Sequence, residues 1–334
     1  MRVTLTDVAK AAGTSASTVS RALSSPEKVN AETGERLRQL AEEMGYVPMR
    51  TSRTSDVQRH EVIGLIVPDI ANPFFPPIIK AVQARAAMFG QLAAIHDIDE
   101  YAADEGRHVK MLVDRVDGLI LASPRSDESF LTDLSNQLPV VLINREIEGI
   151  SSVSVENAIG VHEAVEHLVS LGHRRISYLA GPRRSWSNAQ RVIAVREATD
   201  RLGVDLLELG PFEPDVRAGV QAADLVMSTG ATGVLAYDDV IAVGLMARLR
   251  ERGVDIGPEI SVIGIDGSPL SETSFPPLST VFVPGAQAGQ QAVDLLLDLV
   301  EANAKGRALA PLQRSISVET RLIIRGSTAP LTSR

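Results

Sequence analysis

The stretch TDVAKAAGTSASTVSRAL, Thr6 to Leu23, decides how the rest of the chain is read. It holds few charges, many small residues and one arginine set late. Leu5, Val8, Ala9 and Ala12 recur at i, i+3, i+4 and i+7, the mark of one helix face. Thr4 or Thr6 can cap its start, and Asp7 suits the positive end of its dipole. Gly13 predicts its stop, because glycine accepts the left-handed conformation of a helix C-terminus. Ser15 then caps a second helix with Val19, Ala22 and Leu23 on one face. Ser17 and Arg21 point the opposite way. Pro26 follows that helix. Asn30 caps a third, with Leu37, Leu40, Ala41 and Met44 as its buried stripe and Gly45 as its stop.

Two short helices joined by a glycine turn, with a packing helix behind them, read as a helix-turn-helix. The facing residues are small because the helices must approach closely. The second helix presents Ala16, Ser17 and Arg21 outward, and Arg21 is the long donor that can fork onto guanine O6 and N7. Ser15, Thr18 and Ser20 can hydrogen-bond phosphates, as helix N-termini do. The plainer alternative is a three-helix subdomain with a solvated arginine, and the sequel argues against it.

The 334-residue chain has a formal net charge of −9, 44% hydrophobic residues and no cysteine. That length suggests about two domains with room for a sizeable core. Disulfides, thiolate nucleophiles and zinc–cysteine sites are excluded, and a reducing cytoplasm fits. The start MRVTLTDVAK lacks an apolar signal core, and no apolar run approaches the roughly 20 residues that span a bilayer. A cytoplasmic protein without membrane contact is expected. Residues 1–60 hold nine Lys/Arg and seven Asp/Glu, so the negative charge lies in the remainder. A basic end on an acidic body suits a polyanion at the N-terminus.

From Glu61 onward, apolar runs alternate with helical patterns. The predicted strands are Ile63–Val67, Leu92–Ile95, Gly118–Ala122, Val140–Ile143, Ile176–Leu179, Leu206–Leu209, Gly233–Ala236 and Val262–Ile265. Helical stretches between them include Ile78–Phe89, Ala158–Leu171, Arg191–Leu202 and Val240–Arg252. Such alternation predicts parallel sheets covered by helices on both faces, and this many strands suits two sheets. Polar residues gather just beyond the strands: Asp69, His96-Asp97, Ser123, Asn144-Arg145, Asp238-Asp239 and Asp266. Open α/β sheets bind ligands at those carboxyl ends. Any one of these aspartates could be an ordinary cap or turn; as a set they mark a ligand cleft. The loop GPRRSWSNAQR, Gly181 to Arg191, holds the only tryptophan. Trp186 can pack on the apolar face of a sugar or a base. Polar Ser185, Ser187 and Asn188 surround it, and Arg191 can fork onto vicinal hydroxyls or a carboxylate.

Enzyme signatures are missing. There is no G-x-x-x-x-G-K-[ST] loop, no G-x-G-x-x-G after a strand and no G-x-S-x-G elbow. The six histidines show no metal-ligand spacing beyond His162 and His167, five apart and poorly aligned on a helix. Neither a metal nor a cofactor is expected. The alternatives are a sugar- or nucleotide-using α/β enzyme with a fused regulatory DNA-binding domain, and a purely sensory binding protein.

The blocks TLTDVAKAAGTSASTVSRALS, VNAETGERLRQLAEEMGYVP and IGLIVPDIANPFF resemble the lactose-repressor (LacI/GalR) family of bacterial transcription regulators. ISVIGIDG, PPLSTV and LIIRGST continue the resemblance, in order, to the C-terminus. It implies an N-terminal all-α helix-turn-helix domain (1–48) and a hinge (49–60). Beyond these it implies a periplasmic-binding-protein-like α/β core of two doubly wound parallel-sheet lobes (61–327) and a tail (328–334). Three crossovers would join lobe one, 61–149 and 284–310, to lobe two, 150–283 and 311–327. The resemblance places Arg191 on the family's effector-binding arginine, puts further contacts at Asp238 and Asp266, and sets Phe74 in the cleft wall. Asp238 departs from the asparagine frequent there, and a carboxylate asks for donors on the effector. The implied partners are a pseudo-palindromic operator, a sugar, sugar acid or nucleoside as effector, and a second copy of the chain. No heptad helix follows LIIRGST, so a homodimer is expected rather than a tetramer. In the family the hinge places a leucine wedge in the minor groove. Here that position falls on Ser55, leaving Arg50, Arg53 and Arg59 to serve phosphates or a narrow minor groove; the alternative is that 49–60 is only a polar, flexible tether.

Overall fold

The computed structural model describes residues 5–15, 18, 19, 22, 30–44, 60–306 and 314–332. The chain divides into two units, Met1–Gln58 and Arg59–Arg334. In the first, α1 (Leu5–Ala12) ends at Gly13, whose φ is +65°. The Thr14 N–H donates to the Ala9 carbonyl, closing the helix end. Thr18, Val19 and Ala22 are helical, and α2 runs Ala31–Glu43. Val8, Ala9, Val19, Ala22, Leu37 and Ala41 form one small buried core. Alanine at three of those six places is what lets the short helices meet.

The second unit carries two six-stranded sheets. The first has the order β11-β5-β4-β3-β1-β2, from β1 (Val62–Val67), β2 (Leu92–Asp97), β3 (Gly118–Ala122), β4 (Val140–Ile143), β5 (Ser151–Glu156) and β11 (Ser315–Glu319). All its neighbours are parallel. The second has the order β12-β10-β9-β8-β6-β7, from β6 (Arg175–Leu179), β7 (Asp205–Leu209), β8 (Gly233–Ala236), β9 (Ser261–Asp266), β10 (Ser279–Phe282) and β12 (Arg321–Ile323). Only β12 is antiparallel there. Central strands such as Leu119–Ala122 and Val234–Ala236 are wholly buried apolar runs, as sheets covered on both faces require.

Around the first sheet lie α3 (Phe75–Met88), α4 (Glu105–Val113) and α5 (Glu128–Ser135). Around the second lie α6 (Asn157–Ser170), α7 (Trp186–Leu202), α8 (Val216–Thr229), α9 (Asp239–Glu251) and the short α10 (Pro269–Thr273). Helix α11 (Gly285–Ala304) returns to the first sheet and packs along α3. Arg85 Nε and Nη2 donate to the two Asp294 carboxylate oxygens at 2.7 and 3.1 Å, tying α3 to α11. The chain crosses between lobes after Glu156, after Phe282 and at Thr320. Thr320 is buried; its hydroxyl donates to the Glu156 carbonyl and accepts from the Gly160 N–H, binding two crossovers together.

Two expected boundaries move. The resemblance places residues from 150 onward and from 311 onward in lobe two, yet β5 and β11 both belong to the first sheet. Their serines obscure this: Ser151, Ser152 and Ser154 are buried, with Ser152 Oγ and Ser315 Oγ 3.0 Å apart. The segment expected as a tail is also built in, as far as Thr332. The Ala329 N–H donates to Ser261 Oγ, and the Leu331 N–H to the Leu171 carbonyl.

Candidate functional site

The carboxyl ends of both sheets face one cleft of about 340 Å³, counted to its open mouth. Lobe one contributes Asn72, Phe74, Phe75, Glu100, Ser123, Arg125 and Asn144, while lobe two contributes Arg191, Pro214, Tyr237, Asp238 and Asp266. Glu100, Ser123, Asn144 and Asp266 have φ of +59°, +47°, +59° and +119°. Among the described residues only two other non-glycine positions share that region, Glu61 and Asp99. Backbone strain of this kind concentrates where side chains must be aimed at a ligand.

Arg191 is the centre of lobe two's wall. It is buried, and its Nε donates to Asn157 Oδ1 at 2.9 Å, its Nη1 to the Tyr237 carbonyl at 2.5 Å. Nη2 lies 3.6 Å from Asp266 Oδ1, and the guanidinium sits 4.9 Å from the Tyr237 ring centroid. That ring lies against Gly181, where any Cβ would come within 2.5 Å of it. Glycine there sets Tyr237, and Tyr237 sets Arg191.

Asp238 is the N-cap of α9. Its Oδ1 accepts from the Ile241 N–H at 2.7 Å, and its Oδ2 is buried without a partner. Burial pushes its carboxyl up to about 7, against the pull of that N–H. Neighbouring Asp239 is fully occupied, accepting from Thr280 Oγ1 at 2.6 Å and the Ser268 N–H at 2.7 Å. The adjacent aspartates therefore divide their work: Asp239 holds the fold and Asp238 faces the cleft. Asp266 is raised well above the usual carboxylate range by burial, with Arg191 drawing it back. In lobe one, Asn144 Nδ2 donates to Ser123 Oγ at 3.0 Å while its Oδ1 is buried without a partner. Glu100 pairs with Arg125, and burial raises its carboxyl despite that pairing.

Of the expected effector residues, Phe74, Asn144, Arg191, Asp238 and Asp266 meet at the cleft. The others lie elsewhere. Asp69 accepts from the Ala71 N–H at 2.7 Å, and Trp186 is half-buried outside the lining. Ser185 caps α7 and shares its hydroxyl with Ser187 and Tyr237, both at 3.0 Å. Asn188 Oδ1 accepts from Tyr178 Oη and the Gly181 N–H. The polar groups around Trp186 thus turn inward to satisfy the loop and to position Tyr237. Sequence reading missed Glu100, Arg125 and Tyr237 as lining residues. Tyr237 had a signal, since it lies between strand β8 and Asp238.

In the N-terminal unit, Ser15 Oγ accepts from the Thr18 N–H at 3.2 Å and lies 2.8 Å from Thr18 Oγ1, the cap expected of it. The Gly34 N–H donates to the Asn30 carbonyl at the start of α2. Thr6 lies in α1, though its side chain is outside the described residues, as are Ala16, Ser17, Ser20, Arg21, Arg50, Arg53 and Ser55. Among the described residues no cluster of three His, Asp or Glu could hold a metal, and no helix is long and apolar enough to cross a membrane.

Residues 4–49 match the bacterial regulatory proteins of the lacI family, and residues 165–328 the periplasmic binding protein-like domain. The HTH-type transcriptional repressor CytR of Escherichia coli K12 is 31% identical, over 98% of this chain and 97% of its own. The lac repressor dimer bound to operator and the anti-inducer ONPF superposes with a TM-score of 0.72. It is 27% identical and covers 98% of this chain and all of that one. A LacI family regulator from Enterococcus faecium with bound ribose gives a TM-score of 0.71 at 27% identity. It covers 81% of this chain and all of that one. The chain belongs to the lacI family: it is a DNA-binding transcriptional regulator with a ligand-binding core, not an enzyme.

Proposed function

We propose that this protein is a cytoplasmic, homodimeric repressor whose operator affinity is set by a neutral sugar or nucleoside held between the lobes. The observation that carries this is a pair of buried acceptors, Asn144 Oδ1 and Asp238 Oδ2. They come from opposite lobes, line one cleft, and have no donor. Each such atom costs about 1–3 kcal/mol while unsatisfied. A ligand with hydroxyl donors on two sides relieves both, and does so only when the lobes close on it. The charges argue against a sugar acid. Arg125 is matched by Glu100 and Arg191 by Asp266, so no free cation greets a carboxylate.

The ribose in one structural neighbour and the repressor role of CytR agree with this reading. On the DNA side, the dimer places one helix from residues 15–23 in each major groove of a pseudo-palindrome, with Arg21 on guanine. Arg50 and Arg53 serve phosphates, and Ser55 supplies no wedge, so the operator is bent less than a leucine wedge would bend it.

The test is calorimetric titration of the full chain with pentoses, hexoses, polyols, nucleosides and sugar acids, paired with operator binding. Neutral hydroxyl-rich ligands bind and shift operator affinity; preferential binding of sugar acids overturns the reading. Arg21→Ala costs about 1–3 kcal/mol and relaxes one base pair per half-site. An equal loss on every sequence would assign Arg21 to phosphate instead.

A further inference from the structure

Much of the face that lobe one shows to the cleft stands on three turns. The turn after β2 carries Glu100, the turn after β3 carries Ser123 and Arg125, and the turn after β4 begins with Asn144. Strands β2 and β3 are not neighbours in their sheet, so no ladder ties their turns together. Two side chains outside the cleft lining tie the three turns instead. Glu105, the buried first residue of α4, accepts from the Arg125 N–H at 2.8 Å through Oε2 and from the Ser126 N–H at 3.2 Å through Oε1. Its charge also suits the positive end of that helix. Arg145, half-buried, donates from Nη1 to the Pro124 carbonyl at 2.9 Å and to the Ser126 carbonyl at 2.7 Å. The middle turn is thus gripped by its N–H groups from the β2 side and by its carbonyls from the β4 turn. Arg125 is held twice, by its backbone to Glu105 and by its side chain to Glu100.

We propose that Glu105 and Arg145 are positioning residues, which lace the turns after β2, β3 and β4 into one plate and so present lobe one to the effector as a preformed face. The inference rests on the reading of the cleft as the effector site given above. Three of the four cleft residues on these turns, Glu100, Ser123 and Asn144, have positive φ. Side-chain-bearing residues stay at such angles only where surrounding contacts fix them. A buried carboxylate with both oxygens on backbone donors, and a guanidinium nitrogen shared by two carbonyls, are contacts of that kind. Neither side chain touches the cleft, so changing either removes no contact with a ligand. A loosened plate must instead be ordered again whenever the lobes close, and that ordering opposes binding. The effector is weakened, while the unliganded protein keeps its grip on the operator.

The experiment uses the full chain and three variants. Glu105→Gln keeps the shape but turns an NH2 toward one of the two backbone donors. Arg145→Met keeps the stem and loses the donors. Arg145→Lys keeps a cation whose three N–H groups can still serve both carbonyls. Hydrogen exchange of the unliganded protein is followed in peptides covering 98–104, 123–127 and 144–149. Glu105→Gln and Arg145→Met speed exchange in all three by about tenfold or more, while α3 and the helices of lobe two are unchanged. Arg145→Lys stays within about threefold of wild type. Calorimetry with pentoses, hexoses, polyols and nucleosides then shows that whichever of them binds the wild type binds Glu105→Gln about tenfold more weakly, at unchanged operator affinity of the free protein. Faster exchange confined to 123–127 overturns the inference alone, since the three turns would not be one plate. So does faster exchange throughout both lobes, which marks a general loss of stability. Unchanged ligand affinity in a variant whose three turns are loosened overturns it too. If no member of the panel binds the wild type, the reading of the cleft fails, and the positioning role with it.

Discussion

Lobe one and lobe two carry sheets of the same strand order, each with its last-crossing strand on one edge, but they bring different chemistry to the space between them. Lobe one offers amides, a hydroxyl and two phenyl rings, and its one cation and one acid pair with each other. Lobe two buries one arginine with two carboxylates, all three no more than 8% exposed. A neutral face can part from a ligand and meet water at little cost. A buried charge cluster cannot, because each partner left alone would stand uncompensated in low dielectric. Lobe two is therefore the fixed anchor and lobe one the cover. Equal strand order places both faces; the residues on the turns after the strands assign the roles.

The largest expected effect is at the anchor. Arg191→Ala leaves Asp266 buried without its cation and frees the Tyr237 carbonyl and Asn157, so thermal melting should register a loss of about 3–5 kcal/mol. Effector titration should show no response, while unliganded operator affinity stays near wild type. Arg191→Lys restores charge without the planar fork; stability should return in part and the response should not. If Arg191→Ala keeps its effector response, lobe two is not the anchor.

Next comes Asp238. An acid whose folded pKa lies near 7, above its ordinary value, holds its proton more tightly folded than unfolded. It therefore weakens the fold above that pH, and the penalty fades as pH falls toward the usual carboxylate range. Asp239, raised to about 6, and Asp266 act in the same direction. Asp238→Asn keeps the cap oxygen that accepts from the Ile241 N–H and cannot ionise. At pH 8 it should raise stability by about 1 kcal/mol or more, with a smaller gain at pH 5 and a flatter pH profile. Effector affinity should drop, since one acceptor becomes a donor. An unchanged melting temperature at pH 8 would mean that the wild-type carboxylate is solvated after all.

The two lobes were also unequally legible in the sequence. Eight strands announced themselves as apolar runs, and all eight are present as β1–β4 and β6–β9. Strand β5 did not, because SSVSVE reads as a polar surface segment while its serines are buried between β4 and β11. Short β10, β11 and β12 carried no run long enough to stand out. At the site, Asp238, Asp266 and Arg191 were legible because each sits at a fixed place after a strand or on the following helix. Glu100 and Arg125 were not, since nothing in sequence says that two loop residues 25 positions apart pair over a cleft. Trp186 misled: polar neighbours suggested exposure to ligand, yet Ser185, Ser187 and Asn188 spend their polar atoms inside the protein.

On the cover the effects should be smaller. Asn144→Gly removes the unpartnered Oδ1 and also the cost of a side chain at φ +59°. Stability should hold or rise by a few tenths of a kcal/mol, against the usual sign of a cleft mutation. Effector affinity should fall by about tenfold, the worth of one hydrogen bond to a buried acceptor. A marked loss of stability would show that Asn144 works mainly through its bond to Ser123.

The smallest effect concerns a contact between the lobes. Arg184 in lobe two lies 3.4 Å from Asp127 in lobe one, with side chains 60% and 76% exposed. In that setting water and salt screen the attraction, and two mobile side chains lose entropy by meeting. If closure is driven by the ligand at the anchor, Asp127→Asn should change effector affinity less than twofold at physiological salt. The difference should vanish as salt is raised. A tenfold change that persists in high salt would mean that the rim, and not the buried cluster around Arg191, decides when the lobes close. The division into anchor and cover would then have to be redrawn around the Asp127 and Arg184 loops.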